Sequence, residues 1–162
     1  MPDQSFASFA KKAFARREST LILLLFVLLV PISVRSPQFL SMKNISTILN
    51  DMAILSIVAI GEFYVILSGG IDLSVGSIIA FTGMACGMVN ESYPGVSPAL
   101  LLLLGIVIGL AMGLVNGILV AYGKIPPIIT TLGTVNIYRG MTFLLSKGTW
   151  VTAHEMTPAY IA

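Results

Sequence analysis

The chain has 162 residues, of which 56% are hydrophobic and 10% are charged, and its formal net charge is +2. A soluble domain carries about 25% charged residues, so this chain has too few polar side chains to cover a water-facing surface. The composition predicts an all-α integral membrane protein, because helices satisfy their own backbone hydrogen bonds in lipid. The small net charge does not indicate a nucleic-acid partner, and the single cysteine excludes a disulfide within the chain.

The N-terminal segment, residues 1–19, precedes the first apolar run and contains Lys11, Lys12, Arg16 and Arg17. Its apolar residues recur at helical spacing, which predicts an amphipathic helix lying on the membrane surface. A frayed basic tail is the alternative. Both interpretations place this end of the chain in the cytoplasm, since basic residues flanking a first span stay on that side.

Five apolar runs follow and predict about five transmembrane helices, at residues 20–34, 45–67, 73–89, 99–120 and 128–145. Residues 20–162 would then form one transmembrane domain. The loop at residues 90–98 contains no Lys or Arg, as expected of a loop on the outer side of the membrane.

Three ionisable residues fall inside these runs. The spacing of Asp51 and Glu62 returns both carboxylates to one helix face. Ionisable groups at membrane depth normally face a bundle interior or a water-filled path, so both are candidate pathway-lining residues, with exposure near a helix end as the alternative. Arg139 is a third candidate, and it requires an aqueous cavity or an acidic partner, for which Glu62, Asp51 or Asp72 could serve.

Glycines recur at every fourth position of the fourth run, at Gly105, Gly109, Gly113 and Gly117. On a helix this spacing forms a ridge of small residues that a second helix can approach closely. We therefore predict a helix-packing surface here, either within the chain or between protomers.

A glycine-rich break at residues 68–77 separates the second and third runs. Gly69 and Gly70 are predicted to end one helix, because glycine adopts the left-handed conformation that helix ends need. Asp72 is predicted to be the N-cap of the next helix. A well-capped corner explains these residues. The alternative is that the negative charge of Asp72 acts in transport, by pairing with Arg139 or by shaping a moving corner.

The break also resembles a known family. The run Gly69-Gly70-Ile71-Asp72-Leu73-Ser74-Val75-Gly76-Ser77 is similar to the signature of permease subunits of bacterial ABC importers for ribose and similar monosaccharides. A second block at residues 127–134, then Tyr138-Arg139-Gly140, fits the same family, with Asn116-Gly117 and Pro126-Pro127 between the blocks. The motif residues are Gly69, Gly70, Asp72, Ser74, Gly76, Thr131, Gly133, Arg139 and Gly140. Lys147-Gly148 stands where the family pattern leads us to expect a Gly-Gly-like turn.

The resemblance implies an inner-membrane transport protein and not an enzyme. It implies a translocation path shared with a second permease subunit, a cytoplasmic ATP-binding subunit that hydrolyses ATP, and a periplasmic sugar-binding protein. We expect no catalytic residue, metal site or bound cofactor in this chain, since it contains neither His-Glu-x-x-His nor Gly-x-Ser-x-Gly and residues 117–124 depart from a phosphate-binding loop. Family members are longer, so the chain is expected to be an N-terminal half, whether a truncated product, a fragment or a split subunit.

Two other functions remain open. An ion-coupled carrier would use Asp51, Glu62 and Arg139 as a relay. A membrane scaffold would use only the glycine ridge. Neighbouring genes for an ATPase and a secreted sugar-binding protein would favour the importer. The sequence does not identify substrate-binding residues or the sugar, with ribose, xylose, rhamnose and a furanosyl signal molecule all compatible.

Overall fold

The computed structural model describes residues 17–152 and 154–161. These residues form α-helices and no β-strand, which confirms the all-α class. The helices are α1 (Arg17–Arg35), α2 (Met42–Leu67), α3 (Val75–Ser92), α4 (Pro98–Ala121), α5 (Pro127–Ser146) and α6 (Pro158–Ile161). The predicted amphipathic segment at residues 1–19 lies almost wholly outside the described residues.

The five long helices coincide with the five predicted apolar runs to within a few residues. α1 continues through Pro31. α4 begins at Pro98, directly after Ser97, whose hydroxyl accepts a hydrogen bond from the N–H of Leu100 at 3.3 Å. A serine cap followed by proline in the first turn is a favourable helix start, because proline has no N–H to leave unpaired.

By length and composition alone, α2 and α4 can each span a membrane, and α1 is a shorter apolar helix. Large apolar side chains of α4 are exposed, including Leu102, Leu110 and Leu114. A surface of this kind needs lipid or another apolar surface to cover it. The five-span arrangement remains a prediction.

The chain divides into two compact units, Met1–Ser56 and Ile57–Ala162, and the boundary falls inside the continuous helix α2. The first unit holds α1 and the start of α2. Within the second unit, α3 packs against both α4 and α5, and α4 packs against α5. The predicted division into residues 1–19 and 20–162 is a different one and stays a prediction.

The interior of the second unit is largely polar. Its buried side chains are the polar Ser74, Ser77, Asn90, Asn116, Thr130, Thr131, Thr134, Thr142 and Ser146 and the less polar Met84, Cys86, Leu101, Met112 and Tyr138. In a bilayer, lipid tails are as apolar as leucine, so helices associate through close packing and hydrogen bonds. A polar interior beneath an apolar surface is therefore consistent with a membrane protein.

The residues after α5 return to the C-terminal end of α3. The side-chain amide of Asn90 donates to the hydroxyl of Thr157 at 2.9 Å, and the N–H of Thr157 donates to the amide oxygen of Asn90 at 2.7 Å. Glu155 closes a turn in this segment, where hydrogen bonds from the N–H and the hydroxyl of Thr152 hold the pKa of its carboxyl below the usual value. The two hydrogen bonds between Asn90 and Thr157 attach this segment to α3.

Candidate functional site

The break begins where α2 ends, in a closing pattern that needs glycine. The N–H of Gly69 donates to the carbonyl of Ile66 at 2.9 Å, and the N–H of Gly70 donates to that of Val65 at 3.0 Å. Gly69 has φ +82°, which confirms the predicted left-handed helix end. Gly70 is buried, and a Cβ there would lie 3.2 Å from Val65 Cγ1 and 3.7 Å from Pro127 Cβ. Glycine therefore allows the break to pack against the start of α5.

The prediction that Asp72 is the N-cap of α3 is wrong by two residues, because the N-cap is Ser74. Asp72 Oδ1 accepts hydrogen bonds from both the N–H and the hydroxyl of Ser74, each at 2.7 Å. A short aspartate side chain can close such a turn on the residue two positions further on. Asp72 therefore precedes the N-cap by two residues and holds Ser74 in place through these two hydrogen bonds.

Ser74 connects the break to α4. Its side chain is fully buried, and its hydroxyl oxygen accepts from the side-chain amide of Asn116 at 2.7 Å. The oxygen of the same amide lies 3.5 Å from the hydroxyl of Tyr138, which also donates to the carbonyl of Met112 at 2.9 Å. Buried polar groups that are paired in this way avoid the cost of desolvation without a partner.

The break is held against α5 as well. The hydroxyl of Thr131 lies 3.4 Å from the carbonyl oxygen of Ile71 and donates to it. We call Asp72, Ser74, Asn116, Thr131 and Tyr138 the break cluster. It brings together the first motif block, the Asn-Gly pair and the second block, which are far apart in the sequence. All five residues belong to the family's motifs, but nothing in the sequence indicated the role of Asn116, which links the two blocks.

A cleft of about 210 Å³, the Asp72 cleft, adjoins the break cluster. Its lining includes Asp72, Asn116, Thr131, Gly113 and Gly117. Among the described residues, no atom of another element lies within 4 Å of where a Cβ would stand on either glycine. This end of the glycine ridge thus leaves open space beside the cluster.

Only one of the four ridge glycines packs against another helix within the described residues. A Cβ on Gly105 would lie 3.4 Å from Thr82 Cγ2 and 3.5 Å from Cys86 Sγ, both on α3. Gly109 faces open space like Gly113 and Gly117. The ridge is therefore an internal packing surface at Gly105, and packing between protomers at the other three positions remains a prediction.

We expect Gly105→Leu to destabilise the isolated chain, because the larger side chain must displace α3, at a typical cost of about 1–3 kcal/mol. Gly109→Leu should not lower the thermal stability of the isolated chain in detergent, because leucine has a higher helix propensity than glycine, but it should reduce recovery of the chain in assembly with partner subunits. Thermal unfolding and co-purification measure the two effects. Equal thermal stability of the two variants would contradict the internal role of Gly105, and normal co-purification of Gly109→Leu would contradict the role of the ridge in assembly.

The carboxylates of α2 differ in their surroundings. Asp51 belongs to the first unit and is exposed. Glu62 belongs to the second unit and is half-buried, and its Oε1 has no hydrogen-bond partner among the described residues. A pathway-lining role for either carboxylate stays a prediction.

Arg139 is exposed and lines a second cleft, of about 410 Å³, which we call the Arg139 cleft. Asp72 lines the other cleft, so the structure does not place Arg139 beside Asp72. An aqueous cavity or an acidic partner for its guanidinium stays a prediction.

The remaining motif glycines, Gly76, Gly133 and Gly140, are exposed and have open space where a Cβ would stand. The departure at Lys147-Gly148 has a structural explanation. Both residues have positive φ, +52° and +76°, so Lys147 adopts a conformation that glycine accepts at lower cost. The chain therefore makes the turn that the family pattern leads us to expect, with lysine in a glycine position.

Sequence reasoning missed a polar stripe on α5. Thr134, Tyr138, Thr142 and Ser146 are all buried and lie four residues apart. The hydroxyls of Thr134, Thr142 and Ser146 donate to carbonyls of their own helix, as Thr142 does to Tyr138 at 2.8 Å, whereas that of Tyr138 donates to α4. The signal was the recurrence of hydroxyl side chains at helical spacing, which indicates the face that packs on α3 and α4.

The chain is similar to curated membrane permeases. A model of the family described as "Branched-chain amino acid transport system / permease component" matches residues 44–160. The chain is 41% identical over 129 residues to the ribose import permease protein RbsC of Bacillus subtilis, covering 79% of this chain and 39% of that protein. It is 36% identical over 135 residues to the autoinducer 2 import system permease protein LsrC of Photorhabdus luminescens, covering 83% of this chain and 40% of the relative.

A third relative is the inner membrane ABC transporter permease protein YjfF of Escherichia coli, which is 47% identical over 111 residues, covering 68% of this chain and 33% of the relative. No solved structure matches the chain significantly. The chain spans about two fifths of the length of the first two relatives. The match to a ribose import permease confirms the resemblance to permeases of sugar importers, and the match over residues 44–160 shows that the chain belongs to the branched-chain amino acid transport system permease component family.

Proposed function

We propose that the chain is part of the membrane-spanning permease of an ATP-binding-cassette importer for a simple sugar. The observation that supports this most directly is its 41% identity to a ribose import permease over 79% of the chain. The break cluster is consistent with a permease, since it fixes the corner between α2 and α3 against both α4 and α5. The helices joined at such a corner can pivot about it, and the adjoining cleft leaves them room to do so as a path opens.

The proposed complex has the parts that such an importer needs. A second permease subunit, identical or different, completes the translocation path in the bacterial inner membrane. A cytoplasmic ATP-binding subunit hydrolyses ATP, and a periplasmic binding protein delivers the sugar. In this proposal the chain itself binds no cofactor and catalyses no reaction.

Uptake in the cell of origin tests the proposal. Deleting the coding sequence should abolish the uptake of radiolabelled ribose or of another simple sugar, and restoring it should return that uptake. Radiolabelled leucine is the matched control, because the family description refers to branched-chain amino acids. Loss of leucine uptake with all sugar uptake intact would overturn the sugar assignment in favour of an amino-acid importer.

The energy source separates an importer from an ion-coupled carrier. In membrane vesicles loaded with ATP, uptake through an ATP-binding-cassette importer should stop with internal vanadate while the proton gradient is intact. Uptake that survives vanadate but stops with an uncoupler would indicate a carrier. Sugar uptake that is unchanged on deletion would leave the chain without a transport role, as expected of a scaffold.

We expect the N-terminus to be cytoplasmic and residues 90–98 to be periplasmic, because four basic residues precede the first span and that loop contains none. In Cys86→Ser/Ser92→Cys, the new cysteine should react with a membrane-impermeant thiol reagent in intact spheroplasts. Cys86→Ser alone is the control, since Cys86 is the single native cysteine. Labelling of the double variant only after lysis would reverse the orientation.

A further inference from the structure

The Arg139 cleft has a lining that the family assignment does not explain. It lies between α3 and α5 and measures about 410 Å³, within the range of small-ligand sites. Apolar surface and a few polar groups meet in its lining, which includes Met84, Phe143, Trp150, Arg139, Thr142 and Ser146. An apolar lining with a few convergent polar groups is the general composition of a ligand site.

The two hydroxyls of the cleft present acceptors rather than donors. The hydroxyl of Thr142 donates to the carbonyl of Tyr138 at 2.8 Å, and that of Ser146 donates to the carbonyl of Phe143 at 3.3 Å. Each hydroxyl has one proton, so both oxygens retain lone pairs as acceptors for a ligand. A ligand with O–H donors can bond to them, whereas an ionised carboxylate has only acceptors to offer these two oxygens.

Arg139 supplies the complementary donors. A guanidinium carries five N–H groups and no acceptor, so it can donate to hydroxyl or ring oxygens of a ligand. The cleft thus combines donors from Arg139 with acceptors from Thr142 and Ser146. Trp150 is 76% exposed, so its indole face is free to cover the C–H face of a flat ring. A neutral ring that carries several hydroxyls matches all of these groups.

We propose that the Arg139 cleft is a binding subsite for a monosaccharide, with Arg139, Thr142 and Ser146 bonding to its hydroxyls and Trp150 covering one face. The inference rests on the proposed function and adds residues to it. In the proposed orientation this end of α5 faces the periplasm, where a binding protein would release the sugar.

Trp150 allows a direct test, because it is the single tryptophan of the chain. The purified chain in nanodiscs of neutral phosphatidylcholine should show a saturable change in tryptophan emission with D-ribose or D-xylose. Thr142→Val keeps the shape of the side chain but removes the acceptor, and Arg139→Gln removes the guanidinium donors. Each should weaken the apparent affinity by about tenfold or more, as expected for loss of one hydrogen bond to a polar ligand.

Thr134→Val is the matched control, since Thr134 belongs to the same stripe but does not line the cleft. It should bind the sugar with unchanged affinity. Circular dichroism and gel filtration identify any variant that fails to fold. No emission change in the unsubstituted chain with any of a panel of pentoses and hexoses would overturn the subsite.

Two further outcomes would also overturn it. One is a response to inorganic phosphate but not to sugar. The other is a response only when anionic phosphatidylglycerol is added to the nanodisc, which would assign the cleft to a lipid headgroup. The uptake experiment distinguishes the two proposals: sugar uptake without an emission change refutes the subsite alone, and an emission change without sugar-dependent uptake refutes the importer alone.

Discussion

Asn116→Ala should lower the free energy of unfolding of the chain by about 1–3 kcal/mol, because it leaves the buried hydroxyl of Ser74 without its donor. Reversible unfolding in mixed detergent, followed by circular dichroism, measures the loss. Asn136→Ala is the matched control, since Asn136 is exposed on α5 and its amide donates only to a carbonyl of its own helix, at Leu132. The control should cost much less.

A double-mutant cycle sharpens this test. If Ser74 and Asn116 act through their mutual hydrogen bond, the combined Ser74→Ala and Asn116→Ala variant should lose less stability than the sum of the single losses. Couplings of about 0.5–3 kcal/mol are typical of residues in contact. Strict additivity would show that the two side chains contribute independently and that the break cluster is not one unit.

Asp72→Asn should leave the fold intact but stop transport in the assembled importer. The amide keeps an Oδ1 that can accept both hydrogen bonds from Ser74, so the corner should form as before. The charge is lost, however, and with it the negative potential at the Asp72 cleft, which Asp72 lines. Asp72→Ala should additionally lose about 0.5–2 kcal/mol of stability, as for a lost cap.

Sugar uptake per molecule of inserted permease is the measurement that separates charge from structure. Glu91→Gln is the control, because Glu91 is an exposed carboxylate near the end of α3 and lines neither the Asp72 cleft nor the Arg139 cleft. Normal uptake by Asp72→Asn would show that the charge is dispensable and that Asp72 serves only to fix Ser74.

Local patterns predicted the helices because each is encoded within its own segment. Apolar runs located α1 to α5, and the paired glycines located the end of α2. The start of α3 was predicted two residues too early, because aspartate and serine are both favoured N-cap residues. Only the backbone geometry shows that Ser74, and not Asp72, is the N-cap. Spacing alone cannot distinguish two capping residues in one turn.

The break cluster was not predicted because its hydrogen bonds join distant parts of the chain. Asn116 and Ser74 are 42 residues apart, and Tyr138 lies 22 residues from Asn116. No periodic pattern links such positions. The glycine ridge, by contrast, has a regular spacing that predicts a packing surface. Only the position of α3 shows that Gly105 is the glycine that another helix covers.

The polar interior has a consequence for how freely the sequence can drift. Leu102, Leu110 and Leu114 expose their side chains on α4, so exchange among apolar residues there should be nearly neutral. Thr134 and Thr142 are buried on α5, where a change of one hydroxyl to a methyl group alters the hydrogen bonding of the packed face. Natural variation should therefore concentrate on the exposed leucines and avoid the buried hydroxyls, the reverse of the pattern in a water-soluble protein, where the apolar interior is the part that resists change.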